Sequence, residues 1–294
     1  MKATTVAPAR PVALDYLELT KPRLSVLVLV VVALSAWLAS AGSVDLALVF
    51  RAVLGTAFVA AGASAINMLL ERDFDARMPR TWDRPLPSGR LRGREVRLFG
   101  AGLTAAGLVL LALGTTPLAA LLAALTSASY LGLYTPLKRV TTLNTHIGAV
   151  PGALPTLIGW AAVRGELEPA AWVLFSVLYL WQLPHFLSIA WLYRDDYERG
   201  GFRMLPAVDT SGRVTGRQAV LGAMALLPVS LLPTLVGVAG AVYFLGAFGL
   251  GLFLVHRAVS FALDRTQATA RTLMRASLVY LPLLLTLLCL DQLP

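Results

Sequence analysis

Apolar side chains run almost without interruption over nine stretches of the chain, at 24–41, 47–70, 96–114, 117–135, 144–162, 169–192, 219–237, 240–258 and 273–290, with polar side chains gathered between them. A membrane-spanning helix needs about 20 predominantly apolar residues, so each stretch predicts one span. The pattern is that of an all-α integral membrane protein, a bundle of nine transmembrane helices. The fifth stretch, "NTHIGAVPGALPTLIGW", is interrupted by Pro151 and Pro155. Such breaks are tolerated where neighbouring helices cover the freed backbone groups; without this span there are eight helices and the C-terminus changes sides.

The polar segments are not equivalent. Alternate loops carry Lys2, Arg10, Lys21 and Arg23, then the cluster from Arg72 to Arg97, then Lys138 and Arg139. Arg194, Arg199, Arg203, Arg213 and Arg217 follow on the same side, as do Arg257, Arg265, Arg271 and Arg275. The opposite side holds Arg51 and Arg164. Short loops rich in Lys and Arg stay in the cytoplasm, which predicts a cytoplasmic N-terminus and, with nine spans, an external C-terminus. The same asymmetry accounts for a net charge of +9, so no nucleic-acid partner is expected. The first apolar run is too long for a signal peptide and lacks a small-residue cleavage pattern. Cys289 is the single cysteine and reads as a small buried apolar side chain, with no disulfide and no cysteine metal site.

One basic loop is also acidic. "NMLLERDFDARMPRTWDRPLPSGR", residues 67–90, holds four acidic and five arginine side chains. Asn67, Glu71 and Asp75 are spaced by four, and each such step drifts only about 40° on a helix, so the three share a face while Asp73 points elsewhere. Two carboxylates and an amide oxygen in a row are hard ligands suited to Mg²⁺, which is held by one or two carboxylates while phosphate and water complete its shell. The bland alternative is a solvated helix end whose acids pair with nearby arginines. Asn67 weighs against it, because a polar side chain inside an apolar stretch is costly and tends to be functional.

A second charged loop, "YRDDYERGGFRMLP", follows the sixth stretch as the first follows the second. The repetition suggests a weak internal duplication with a site shared between the halves. Asp195 and Asp196 have Arg199 and Gly200 four residues on, so this loop offers one metal-directed carboxylate, Asp196, and Arg199 for phosphate. Arginines interleaved with acids suit a polyanion, whose oxygens guanidinium groups clamp in pairs. No G-x-x-x-x-G-K-[ST] loop is present, which disfavours a nucleoside triphosphate and leaves a membrane-soluble diphosphate.

At these residues the chain resembles the UbiA-type intramembrane prenyltransferases, whose first motif N-x-x-x-[DE]-x-x-x-D is matched by Asn67, Glu71 and Asp75. Within them it is similar to the branch that farnesylates haem, through "YLELTKPRLSVLVL", "NMLLERDFDARMPRTWDRPLPSG", "YTPLKRVTTLNTHIGAVPGALPTLIGW", "WQLPHFLSIAW" and "RDDYERGGFRMLP", in family order from residue 16 to 206. The second loop departs from the D-x-x-x-D of many relatives, which leaves a second Mg²⁺ arm open. The resemblance implies one polytopic domain over 1–294, with a cytoplasmic segment 1–23 and a central cavity capped by active-site loops 71–95 and 193–218. It implies transfer of farnesyl from farnesyl diphosphate to a vinyl group of haem B, in a bacterial inner membrane, with a haem A synthase downstream. Asn67, Glu71, Asp75 and Asp196 would be the catalytic, metal-binding residues. Arg80, Arg84, Lys138 and Arg199 would contact diphosphate or haem propionates; each also reads as a positive-inside residue. His185 has three open readings: a hydrogen-bonded buried group, an axial haem ligand or a proton carrier. A quinone-precursor or chlorophyll-type acceptor is the alternative within the family. A transporter, the alternative outside it, would place its charges at mid-membrane.

Overall fold

The computed structural model describes residues 11–293; Lys2 and Arg10, counted above for orientation, lie outside them. Among the described residues nine helices are long and apolar enough to cross a membrane. A short helix α1 (Val12–Leu19) precedes the first of these, α2 (Pro22–Ala39), α3 (Leu46–Asp75) and α4 (Gly93–Gly114). The fourth span is composite: α5 (Pro117–Ser129), a π-helical turn over Tyr130–Tyr134, and α6 (Thr135–Leu137). Next come α7 (Asn144–Arg164) and α8 (Pro169–Leu192), then two short loop helices, α9 (Arg194–Arg199) and α10 (Leu205–Val208). The last three spans are α11 (Arg213–Val229) with its extension α12 (Leu232–Leu235), α13 (Ala241–Asp264) and α14 (Gln267–Leu290).

Helix starts follow local chemistry. Asp45 caps α3, accepting from the backbone N–H groups of Ala47 and Leu48, and Thr116 caps α5 at Ala119. Proline stands in the first turn of α2, α5 and α8, where its missing N–H costs nothing. The Pro151–Pro155 segment is one continuous helix, so the nine-span reading holds. Hydropathy placed several boundaries too far inside: α11 begins six residues before 219 and α14 six before 273, because helical geometry continues into the polar flanks.

α3 is the longest element, with 30 residues, or about 45 Å, against a hydrocarbon core of roughly 30 Å. The helix is therefore longer than the lipid core requires, and its polar last turns carry Glu71 and Asp75. It packs on α4 through glycines at matching heights. A Cβ at Gly62 would stand 2.5 Å from the Gly100 carbonyl oxygen, and one at Gly107 would stand 2.6 Å from that of Gly55. Small residues that let backbones approach are the usual device for joining helices in lipid. Gly62→Leu forces the two backbones apart, whereas Gly102→Leu, at a position with nothing within 4 Å, does not. The expected Tm loss in detergent is on the order of 5 °C for the first and near zero for the second; equal values would show that the close approach does not hold α3.

Elsewhere α2 lies on α7, α7 on α8, and α8 on α11 and α14. α7 and α8 are the most enclosed spans. Between α2, α3, the α5–α6 span, α7 and α8 lies a cavity of about 660 Å³.

Candidate functional site

The mouth of the cavity is charged and its body apolar. α3 brings Asn67, Glu71 and Asp75 to the lining on one face, all three buried. Asp73, off that face, has its side chain 75% exposed and pairs with Arg72 at 3.2 Å. Opposite, the π-helical turn puts Tyr130, Tyr134 and Lys138 on one wall; such turns recur at functional sites. Asn67 joins the two walls, its amide nitrogen donating to Thr135 Oγ1 at 3.1 Å.

Every oxygen row position is met by a cation. Lys21 Nζ donates to Asn67 Oδ1 at 2.9 Å, Lys138 Nζ to Glu71 Oε1 at 2.9 Å, and Arg84 Nη1 to Asp75 Oδ2 at 2.7 Å. Burial lowers the Lys21 pKa to about 8, with Arg84 and Lys138 adding repulsion. Burial also opposes charge on Lys138, but Tyr134, Glu71 and Tyr130 outweigh it and hold the ammonium above the usual lysine range. Its Nζ also sits 4.4 Å from the centre of the Tyr134 ring, a favourable cation–π placement. With Arg80, the lining has four cations for two carboxylates, an excess that suits an anion.

The second charged loop closes over the first. Arg80 lies 4.6 Å above the Tyr193 ring and 5.6 Å from that of Tyr197, and Phe74 packs on Phe202 with centroids 5.9 Å apart. The loop backbone is tied at Arg203, whose N–H donates to the Lys138 carbonyl at 2.7 Å. Tyr197 and Phe202 line the cavity, but Asp196 and Arg199 do not; their charged atoms face each other at 3.8 Å. α9 turns Tyr193 and Tyr197, four apart, toward Arg80, and Asp196 is about 100° round from that face.

Deeper, His185 lines the cavity with its Nδ1 2.8 Å from Ser277 Oγ. His146 approaches Gln218 at 3.4 Å, and His256 is exposed. The sequence reading overlooked Lys21, Tyr130, Tyr134, Gln182, Tyr197 and Phe202. Two signals pointed to part of this set: the Lys-Pro pair in "LTKPRLS" and the spacing of four through Tyr130, Tyr134 and Lys138.

All donors in the α3 row are hard oxygens, and each contacts a positive group, so the row fits a divalent cation. Among the described residues no group of three or more His, Cys, Asp or Glu side chains could hold a metal. Two carboxylates and an amide therefore suit a cation shared with a phosphate ligand.

Residues 26–281 match the model of the UbiA prenyltransferase family. The protoheme IX farnesyltransferase of Solibacter usitatus is 46% identical over 287 residues, which cover 95% of this chain and 98% of that one. Among solved structures, digeranylgeranylglyceryl phosphate synthase superposes with a TM-score of 0.80 at 18% identity, over 94% of this chain and 97% of its own. A UbiA homologue from Archaeoglobus fulgidus bound to GPP and Mg²⁺ superposes with a TM-score of 0.60 at 14% identity, over 94% and 99%.

Proposed function

The chain belongs to the UbiA prenyltransferase family and is a multi-pass membrane prenyltransferase; from that premise we propose that it transfers the farnesyl group of farnesyl diphosphate to a vinyl group of haem B, giving haem O. The observation that carries the reading is the joining of an oxygen row matched by cations to an apolar cavity of about 660 Å³. The acceptor follows the relatives, which are protoheme IX farnesyltransferases at 46% and 45% identity over 95% of this chain.

Asn67, Glu71 and Asp75 would hold Mg²⁺. When bound, Mg²⁺ neutralises charge gathering on the departing diphosphate. Lys21, Arg84 and Lys138, drawn from the carboxylate and amide oxygens they now contact, bind phosphate oxygens. Arg80 clamps diphosphate or a haem propionate at the mouth. The faces of Tyr130 and Tyr134 flank the allylic carbon as positive charge develops there, and the apolar walls keep bulk water from that carbon until the vinyl group has attacked. Asp196 and Arg199 act, in this reading, only if α9 turns inward around the ligand. Incubation of purified protein with farnesyl diphosphate, haem B and Mg²⁺ should yield haem O by mass spectrometry; no farnesylated porphyrin under these conditions defeats the assignment.

The one-sided arginines support an orientation with the N-terminus and both charged loops cytoplasmic, in what this reading takes to be a bacterial inner membrane, where a haem A synthase would take up the product. Reporter fusions after Ser88 and after Pro294, the latter outside the described residues, should report opposite sides of the membrane. The same side for both defeats this orientation.

A further inference from the structure

Two acceptor atoms of buried side chains face the cavity without a protein donor. Gln182 and His185 both line it, three positions apart on α8, which places them on neighbouring turns of one face. The Gln182 amide nitrogen donates to the carbonyls of Ala149 and Leu178, both at 3.1 Å, so the amide orientation is fixed. Its Oε1 then lies beside Gly152, where any Cβ would collide with it.

Ser277 sets the tautomer of His185. Ser277 Oγ, 2.8 Å from His185 Nδ1, gives its only hydrogen to the Met274 carbonyl at 2.7 Å. With that hydrogen on the Met274 carbonyl the hydroxyl accepts from the ring, which puts the proton on Nδ1 and a lone pair on Nε2. Trp181 stacks on the imidazole with centroids 4.8 Å apart and donates its Nε1–H to the Ser277 carbonyl at 2.8 Å, which locks the ring in place. Unlike the sealed and unpartnered Trp160 Nε1, neither Gln182 Oε1 nor His185 Nε2 is closed off.

We propose that Gln182 Oε1 and His185 Nε2 hold the water that ends the reaction, with His185 as its base. This rests on the farnesyl transfer proposed above. In that transfer the terminal vinyl carbon bonds to farnesyl C1 while the C–O bond to diphosphate breaks. Positive charge is left on the vinyl carbon next to the porphyrin. It has two fates: loss of a proton from the neighbouring carbon gives an alkene, and addition of water gives an alcohol. A water donating both hydrogens to two fixed acceptors presents its lone pair outward. As its oxygen bonds to the cation, its proton passes to Nε2, and from the imidazolium to solvent after product release.

The test is the product ratio of the full-length protein given farnesyl diphosphate, haem B and Mg²⁺, read by mass spectrometry. His185→Gln should still bind farnesyl diphosphate and still join it to haem, but the alcohol-to-alkene ratio should fall at least tenfold. The Soret band of added haem should match that of the unaltered protein. Ser277→Ala frees the tautomer and should lower the ratio several-fold, and it decides the matter if His185→Gln fails to bind farnesyl diphosphate. An unchanged ratio in the variants overturns the proposal. A Soret shift with an unchanged ratio overturns it in favour of iron ligation by His185. If the unaltered protein forms no farnesylated haem, it is the transfer reading that fails, and this is seen before any variant is made.

Discussion

Asp75→Asn should abolish most of the activity and Asp73→Asn should leave it nearly intact. The two substitutions make the same chemical change two residues apart, about 200° around one helix. Asp75 is buried in the cavity mouth against Arg84, whereas Asp73 is exposed beside Arg72. Removing one negative charge from a preorganised electrostatic site typically costs on the order of 100-fold or more in rate. The measurement is haem O formation across a range of Mg²⁺ concentrations. A loss for Asp75→Asn that excess Mg²⁺ partly restores would place the defect in metal affinity. Similar rates for the two variants would return the α3 row to a solvated helix end.

Lys21→Met is expected to have a comparable effect on catalysis with no loss of stability. Lys21 stands between α1 and α2 with φ 47° and ψ 55°, left-handed values that a residue before proline seldom adopts. Such strain, of order 1–3 kcal/mol, persists where the surroundings impose it. What it achieves is to send the ammonium to Asn67 Oδ1, into a mouth already holding Arg84 and Lys138. Burial and those two cations lower its pKa to about 8, so without an anion the charged lysine is less stable folded than unfolded. Met keeps the apolar stem and removes that charge. kcat/KM for farnesyl diphosphate should fall on the order of 100-fold while Tm stays level or rises. A lower Tm with unchanged kcat/KM would make Lys21 a purely structural residue.

The two variants mark how far the sequence could be read. The α3 row was legible because a spacing of four is a local property of one helix, and the helix does continue to Asp75. The nine spans were legible for the same reason, since each is a local run of apolar residues. Lys21 was marked only by its Lys-Pro pair, because its partner lies 46 residues away and its role depends on an unusual backbone conformation. The π-helical turn was not legible, since it sets Tyr130, Tyr134 and Lys138 on one wall without any break in hydropathy. In the second charged loop, sequence pointed to the charges of Asp196 and Arg199, whereas the structure lines the cavity with Tyr197 and Phe202. Charge is conspicuous in a sequence, but on α9 the aromatic face is the one turned to Arg80. α1, with eight residues, is too short for periodicity to reveal.

α7 has the lowest hydropathy of the nine spans, 1.3, and two prolines in its interior. A helix of this composition is a poor candidate to remain in lipid alone during synthesis. Its neighbours solve the difficulty through the order of translation. α2 and α5 leave the ribosome first, and both touch α7 in the finished bundle. Ser35 donates to the Thr156 carbonyl at 2.6 Å and Thr116 to that of Ala161 at 2.9 Å, so hydroxyls already in the membrane receive the incoming helix. The N-terminal spans thus offer a template against which the proline-bearing wall can settle.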